Sequence, residues 1–400
     1  MKTDRSLGPD TSAMPRIAPG TRVAFLINSM EGGGAERAMA NLLGHLLPHL
    51  DDCEIELILL DDLPRKQTLP DGLKITTLDG KQKMARSLLQ LHRYWSSNGP
   101  HPEVCISFLA RANVINVLLA YRFGHKTIIS ERVNTSSHIA GSRAEPLLAW
   151  ITKRTYSKAD HVIPVSGGVA DDLAGRFDVP RSRMSVIGNP IDAERLKTLA
   201  QQPPAIDLPE DYFLGVGRLV PNKNFSLLID AFAQSGTVSS LVLLGQGPEL
   251  EELREKATQL RVADRVLFAG FVENPYPIMA RARALVSASR AEGFPNTLIE
   301  AMSVGCPVVA TDCPSGPAEV LDSVPARHAP WPDGACGLLV PMEDRTAMAE
   351  AIKLLGDPAT RERYASKASA RAADFGHDAV TKAYLALIAS MTGEACRAID

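Results

Sequence analysis

Four side chains in the second half of the chain have the types and spacing to act on a charged substrate: Arg218, Lys223, Glu292 and Glu300. The two glutamates flank Gly293-Phe294-Pro295-Asn296-Thr297, a loop signal that runs into an apolar helix. Arg218 and Lys223 follow the apolar run Tyr212–Val216 and Gly217. Two cations near helix N-termini suit a diphosphate, which they neutralise when bound and stabilise as a leaving group. As an isolated pair they would be solvated surface charges; their place in a strand-to-helix turn after Gly215-x-Gly217 favours a ligand. Glu300 fits two roles. Thr297-Leu-Ile-Glu300 matches a capping box, with the glutamate bonding back to the cap. A carboxylate at a ligand-facing helix start also accepts hydrogen bonds from ribose hydroxyls. Glu292 has no capping role and reads as facing a sugar or a developing cation.

The first half carries another glycine-rich turn, Asn28-Ser-Met-Glu31-Gly32-Gly33-Gly34. It lies between the apolar run Arg22–Ile27 and a helix predicted from Ala35 to Leu47. Such a turn lets backbone approach a ligand and aims helix N–H groups at it; a tight turn without a ligand is the other reading. Gly-x-Gly-x-x-Gly is absent, and no Gly-Lys-Ser/Thr follows, which weighs against dinucleotide and P-loop chemistry.

These residues need strands and helices behind them, and the chain alternates between the two. Strands are expected at Arg22–Ile27, Glu54–Leu60, Val104–Phe108, Lys126–Ser130 and His161–Val165, with helices at Gln82–Trp95, Ala112–Tyr121, Glu145–Ser157 and Gly168–Phe177. In the second half strands are expected at Tyr212–Val216, Leu241–Leu244, Val266–Ala269, Ala284–Ser287, Pro307–Ala310 and Gly337–Val340. A helix from Phe225 would take Asn224 as its N-cap. The alternation predicts an α/β protein of two Rossmann-like doubly wound domains facing across a cleft, with ligands at the carboxyl ends of the strands. Residues 1–20 read as a loose tail, 21–200 as the first domain, 210–375 as the second and 376–400 as a terminal helix able to pack back on the first. Gln201 to Pro209 reads as the linker.

Composition excludes several classes. With 43 basic and 46 acidic residues the net charge is −3, so a general nucleic-acid binder is not expected. Six cysteines without Cys-x-x-Cys or metal-ligand spacing point to reduced thiols in a reducing compartment. No apolar run reaches the ~20 residues that span a bilayer, so the expected location is cytoplasmic, at most peripheral on the inner membrane. Two helices could mediate such contact. One sets Lys81, Lys83, Arg86 and Arg93 beside Leu88, Leu89, Leu91 and Trp95; the other sets Arg143, Lys153, Arg154 and Lys158 beside Leu147, Leu148, Trp150 and Ile151. Ordinary surface helices have the same composition.

Taken together, Gly217-Arg218-x-x-x-x-Lys223, Glu292-x7-Glu300 and Gly32–Gly34 resemble the retaining glycosyltransferases of the GT-B fold, family 4, from about Arg22 to about Leu387. The resemblance implies that the second domain binds a UDP-sugar or other nucleoside diphosphate sugar and the first holds the acceptor. It implies Arg218 and Lys223 on the diphosphate, Glu300 on the ribose and Glu292 by the donor sugar. Backbone from Gly293 to Thr297, with Gly217, would also contact the donor. Phe271 and Val272 would border the base, and Gly33 and Gly34 would close over the phosphates. No metal is expected.

Glu31-Gly-Gly-Gly-Ala-Glu36-Arg37, Ile106-Ser-Phe-Leu-Ala-Arg111-Ala-Asn113 and Ile129-Ser-Glu131-Arg132-x-Asn134 are similar to enzymes that add hexoses or N-acetylhexosamines to lipid-linked glycans. In that branch Arg111, Asn113, Glu131 and Arg132 would serve sugar or acceptor recognition, with an internal Glu131–Arg132 ion pair as the other reading. Many family members place a histidine where this chain has Glu131; His138 and His161 read as structural or surface residues. The function expected is transfer of a sugar to a lipid-linked or glycan acceptor in polysaccharide synthesis. A two-domain NAD-dependent oxidoreductase and a non-catalytic sugar-nucleotide binder are the alternatives.

Overall fold

Val23 to Ile27 is an unbroken apolar run, as a strand covered on both faces requires. A computed structural model describes residues 14–393 apart from 98, 100, 329, 330 and 333. It places that run, β1 (Arg22–Ile27), in a parallel sheet with β2 (Glu54–Leu59), β3 (Lys74–Thr77), β4 (Val104–Phe108), β5 (Lys126–Glu131) and β6 (His161–Pro164). The second sheet holds β7 (Tyr212–Val216), β8 (Ser240–Leu244), β9 (Val266–Gly270), β10 (Leu285–Ser287), β11 (Val308–Thr311) and β12 (Leu338–Val340).

The orders are β3-β2-β1-β4-β5-β6 and β12-β11-β10-β7-β8-β9. Each half is doubly wound. Chain direction across the sheet reverses between β1 and β4 and between β7 and β10, and these reversals open the crevices where such sheets bind ligands. The glycine loop leaves β1, Arg218 follows β7, and Glu292 follows β10.

The first-half helices are α1 (Gly34–Leu46), α2 (Met84–Ser97), α3 (Ala110–Phe123), α4 (Thr135–Ile139), α5 (Glu145–Tyr156) and α6 (Gly167–Phe177). Then come α7 (Ala193–Ala200), α8 (Phe225–Ser235), α9 (Leu250–Gln259), α10 (Tyr276–Arg281) and α11 (Asn296–Ser303). The last are α12 (Pro317–Leu321), α13 (Arg345–Leu354), α14 (Pro358–Ala372) and α15 (His377–Met391).

Edge strand β3 and the short helices α4 and α7 were not expected from periodicity. Four to eight residues carry too few apolar positions to show a period.

Two crossings join the halves. Leu196 of α7 and Ile191 before it join the apolar cluster of the second sheet, so the packing changes hands before the expected linker at Gln201–Pro209. In the other direction α15 buries Val380, Tyr384, Leu385 and Ile388 against α1 in the core of the first sheet. The crossings touch where the Ile191 N–H donates to Phe375 O, 3.3 Å away. Ile17, expected in the loose tail, is buried in the first core; residues 1–13 and Cys396 lie outside the described residues. The other five cysteines are free, and burial pushes the Cys306 and Cys313 thiols up to about 12. Among the described residues no helix is long and apolar enough to cross a membrane.

Candidate active site between the two sheets

Beyond β7 the chain turns at Gly217, whose φ of +158° suits glycine. The Arg218 side chain is exposed, and its guanidinium forms neither hydrogen bond nor ion pair among the described residues, while its carbonyl accepts from Val220 N–H at 2.9 Å. A short 3-10 turn, Pro221–Lys223, then presents Lys223, whose Nζ lies 2.5 Å from Glu292 Oε1. Ser289 Oγ donates to the same oxygen at 2.7 Å. The opposite charge of Lys223 and the serine hydroxyl hold Glu292 in one orientation at the mouth of β10. Asn224 occupies the cap position of α8 but does not cap it. Its φ is +51° and its amide donates to Glu343 Oε1 at 3.2 Å.

The loop Gly293–Pro295 is wedged against the first half. A Cβ on Gly293 would stand 2.1 Å from Arg132 O, so only glycine lets the two backbones meet. Gly293 O accepts from Ser166 Oγ at 2.8 Å. Phe294 packs against apolar clusters of both halves, edge-on to Phe375. Helix α11 starts at Asn296, with Pro295 before it and no side-chain cap. The capping box expected from Thr297 and Glu300 is therefore not formed, because Glu300 falls in the second turn. Its buried carboxylate instead pairs across the cleft with Arg37 Nη2 at 2.8 Å.

Arg37 stands in the first turn of α1, behind the glycine loop. A Cβ on Gly33 would lie 2.5 Å from Glu36 Oε2, because that carboxylate folds back over the loop. Burial raises the Glu36 carboxyl above its usual range, while the Arg218 charge across the cleft pulls it down. Gly34 faces Asn296: a Cβ there would be 3.7 Å from its amide nitrogen. The N-termini of α1 and α11 thus converge on the space beside Arg218. Phe271 is 73% exposed at the end of β9, with Val272 partly buried.

Three further contacts join the halves. Glu319 accepts from the Gly167 and Gly168 N–H groups at 2.7 and 2.8 Å, capping α6 from the other half. Asn134 donates to Ser315 Oγ at 2.9 Å, and Asn189 to Asn296 Oδ1 at 2.6 Å.

The four residues expected on the acceptor side divide. Glu131 is fully buried, and its carboxylate accepts from Tyr156 OH at 2.6 Å and Arg132 N at 3.1 Å. Desolvation raises it to about 7. It therefore offers no surface to an acceptor, and its hydrogen bond from Arg132 comes from the backbone, the guanidinium being bonded to Asn189 and Tyr384. Arg132 is buried too; its guanidinium lies over the Phe108 ring and donates to Asn189 Oδ1 at 2.9 Å and Tyr384 OH at 2.6 Å. Asn113, fully buried, ties Ser107, Ser130 and Tyr156 together. Arg111 pairs with Asp61 and reaches Asn28 Oδ1 at 3.3 Å, below the first glycine loop. Glu131, Arg132 and Asn113 thus brace the crevice from within.

His45, Asp192 and His377 offer ligand atoms within 4.8 Å of one another. The two imidazoles stack with centroids 4.0 Å apart and planes 4° from parallel. In-plane lone pairs on parallel rings do not meet on one ion, so this cluster as arranged is a stacked pair. It lies eight residues along α1 from Arg37, about 12 Å at 1.5 Å per residue. His161 shares a hydrogen bond with Ser185 at 3.0 Å, and His138 is exposed.

The arrangement of two doubly wound halves, with cations after β7 and a carboxylate after β10, meets independent sequence evidence. The family description "Glycosyl transferases group 1" matches residues 187–371, and "Glycosyltransferase Family 4" matches 32–195. The chain is 32% identical over 366 residues, 88% of its length and 95% of the relative, to the Campylobacter jejuni N-acetylgalactosamine-N,N'-diacetylbacillosaminyl-diphospho-undecaprenol 4-alpha-N-acetylgalactosaminyltransferase.

The chain belongs to the family 4 glycosyltransferases.

This GT-B glycosyltransferase is also 32% identical over 323 residues to the lipopolysaccharide 1,6-galactosyltransferase of Salmonella typhimurium, covering 75% of this chain and 82% of that one. Among solved structures it resembles Anabaena HepE in complex with UDP-glucose. The TM-score is 0.74 at 21% identity, over 93% of this chain and 99% of that one. Sucrose-phosphate synthase from Thermosynechococcus elongatus shares the fold with a TM-score of 0.75 at 18% identity, over 94% and 100% of the two chains. The oxidoreductase and the non-catalytic binder give way to a transferase. Arg37, Glu319 and Asn189 were missed as residues that join the halves, and Tyr384 as the buried partner of Arg132. Arg37 does lie inside a motif, but its partner Glu300 is 263 positions away.

Proposed function

We propose that this glycosyltransferase moves a hexose or N-acetylhexosamine from a UDP-sugar to a lipid-linked glycan acceptor, with retention at the anomeric carbon, in cell-surface polysaccharide synthesis. The observation that carries this reading is the placement of Arg218 and Lys223 beside Glu292 at the reversal of the second sheet, opposite the Gly32–Gly34 loop.

The diphosphate would lie against Arg218, Lys223 and the helix N-termini of α1 and α11, which stabilise the charge that grows on it as the sugar bond breaks. Glu300 would take the ribose hydroxyls, and backbone from Gly293 to Thr297 would border the sugar. Phe271 and Val272 would border the base. Glu292 would stabilise the oxocarbenium-like sugar. The acceptor hydroxyl would attack from the face the diphosphate leaves, giving its proton to the departing phosphate oxygen. Closure of the halves would exclude water and so suppress hydrolysis.

Two of the relatives act, by their names, on an undecaprenyl diphosphate glycan and on lipopolysaccharide, which supports a membrane-held acceptor and work at the cytoplasmic face. Of the two basic helices, α2 buries Leu91 and Trp95 in the first core. By contrast α5 leaves Leu147, Leu148 and Trp150 exposed, beside Leu118 and Tyr121 of α3. Arg143, Lys153, Arg154 and Lys158 surround them, as contact with anionic lipid requires.

The test is UDP release by the purified protein over a panel of nucleotide sugars with lipid-linked acceptors present. Acceptor-dependent release from a UDP-sugar is the expected result. Release from an ADP- or GDP-sugar alone would reassign the donor.

A further inference from the structure

Two of the cleft carboxylates are paired before any donor enters. Lys223 holds Glu292 and Arg37 holds Glu300. Arg37 is the only ion-pair partner of Glu300 among the described residues, and that carboxylate is 4% exposed. The donor reading above assigns Glu300 to the ribose, and the inference rests on that reading. Ribose hydroxyls and the Arg37 guanidinium are both donors competing for one buried carboxylate. The Arg37 side chain is 36% exposed, so once released from Glu300 it is free to swing toward another anion in the cleft. The incoming donor supplies one. Arg37 lies in the first turn of α1, whose N-terminus meets that of α11 beside Arg218, where the diphosphate would rest.

We propose that Arg37 exchanges Glu300 for the diphosphate when the donor binds, so that the first half of the chain contributes a third cation to the leaving group. In the free enzyme the same side chain covers the ribose site and clasps the two halves together. The exchange links occupancy of the nucleotide site to rearrangement of the cleft, with Arg37 paired to an anion in both states.

Binding of UDP and of uridine, measured by calorimetry on the full chain, separates the two halves of the exchange. In Arg37→Ala, uridine should bind several-fold more tightly than to wild type because Glu300 is free. UDP should bind about tenfold or more weakly for loss of a charge-assisted contact. Arg37→Lys keeps the charge without the planar fork and should show the same signs with smaller shifts; it serves if the alanine variant does not fold. A shift of both ligands in the same direction, or of neither, overturns the exchange while leaving the donor reading intact. A wild-type protein that binds no nucleoside diphosphate overturns the donor reading and the exchange together.

Discussion

Lys223 Nζ and Glu292 Oε1 are 2.5 Å apart, joining the loop after β7 to the loop after β10. These are the neighbouring strands at which the second sheet reverses. The pair presets the distance between a cation suited to a diphosphate and a carboxylate suited to a sugar. Replacing Lys223 by Ala should weaken UDP binding by roughly 10–100-fold, the worth of a charge-assisted bond in a partly buried site. Isothermal titration measures it, and unchanged affinity would remove Lys223 from the diphosphate.

Glu292→Gln keeps the shape and the Ser289 hydrogen bond but loses the charge. Turnover should fall by about 100-fold, the scale of a group that stabilises transition-state charge, with UDP affinity changed far less. Single-turnover rates and UDP titration on the same variant check this split. Lost affinity with normal turnover would reassign Glu292 to donor binding.

Glu319 caps α6 from the other half of the chain. Glu319→Ala should lower the melting temperature by about 2 °C, as expected for loss of a helix cap in a chain of this size. It should also increase the radius of gyration in small-angle scattering, because a contact between the halves is lost. An unchanged radius would show that the other interdomain contacts suffice.

Burial holds the Glu131 carboxyl at about 7 against a usual 4.5. The folded state keeps this proton over a range where the unfolded state has released it, so the stability that the group contributes is present below about pH 4.5 and lost as pH rises through 7. Glu131→Gln cannot ionise and still accepts from Tyr156. Its advantage over wild type should therefore grow between pH 5 and pH 8, by about 3 kcal/mol at most from the size of the shift. Urea unfolding at the two pH values measures the difference, and parallel pH dependence would show that Glu131 is ionised throughout.

The apolar face of α5 should insert at a lipid surface. Leu147→Asp with Trp150→Asp should abolish co-sedimentation with vesicles containing anionic lipid and leave UDP binding intact. Equal binding by wild type and variant would move membrane contact elsewhere.

Legibility followed the range of the interaction. Glycine-rich turns, apolar strands and the sites of Arg218, Lys223, Glu292 and Glu300 were readable, because a strand, a turn and the loop at a strand's end are set by residues within a few positions. The alternation of these units determines two doubly wound halves and brings those four residues to one sheet edge. Sequence motifs did not reveal where Glu131 points, since a carboxylate after a strand can face the crevice or the core; Tyr156 and the buried backbone decide for the core. Local pattern likewise suggested a capping box for Glu300, and tertiary packing replaced it with Arg37, 263 positions earlier. Arg132 binds Tyr384, 252 positions later, only because α15 crosses back over the first half. The sequence by itself determined that Arg218, Lys223, Glu292 and Glu300 stand at or just beyond the strand ends of the second sheet. Tertiary structure decided which of them pair, because pairing depends on the approach of backbones such as Gly293 and Arg132 that no local pattern encodes.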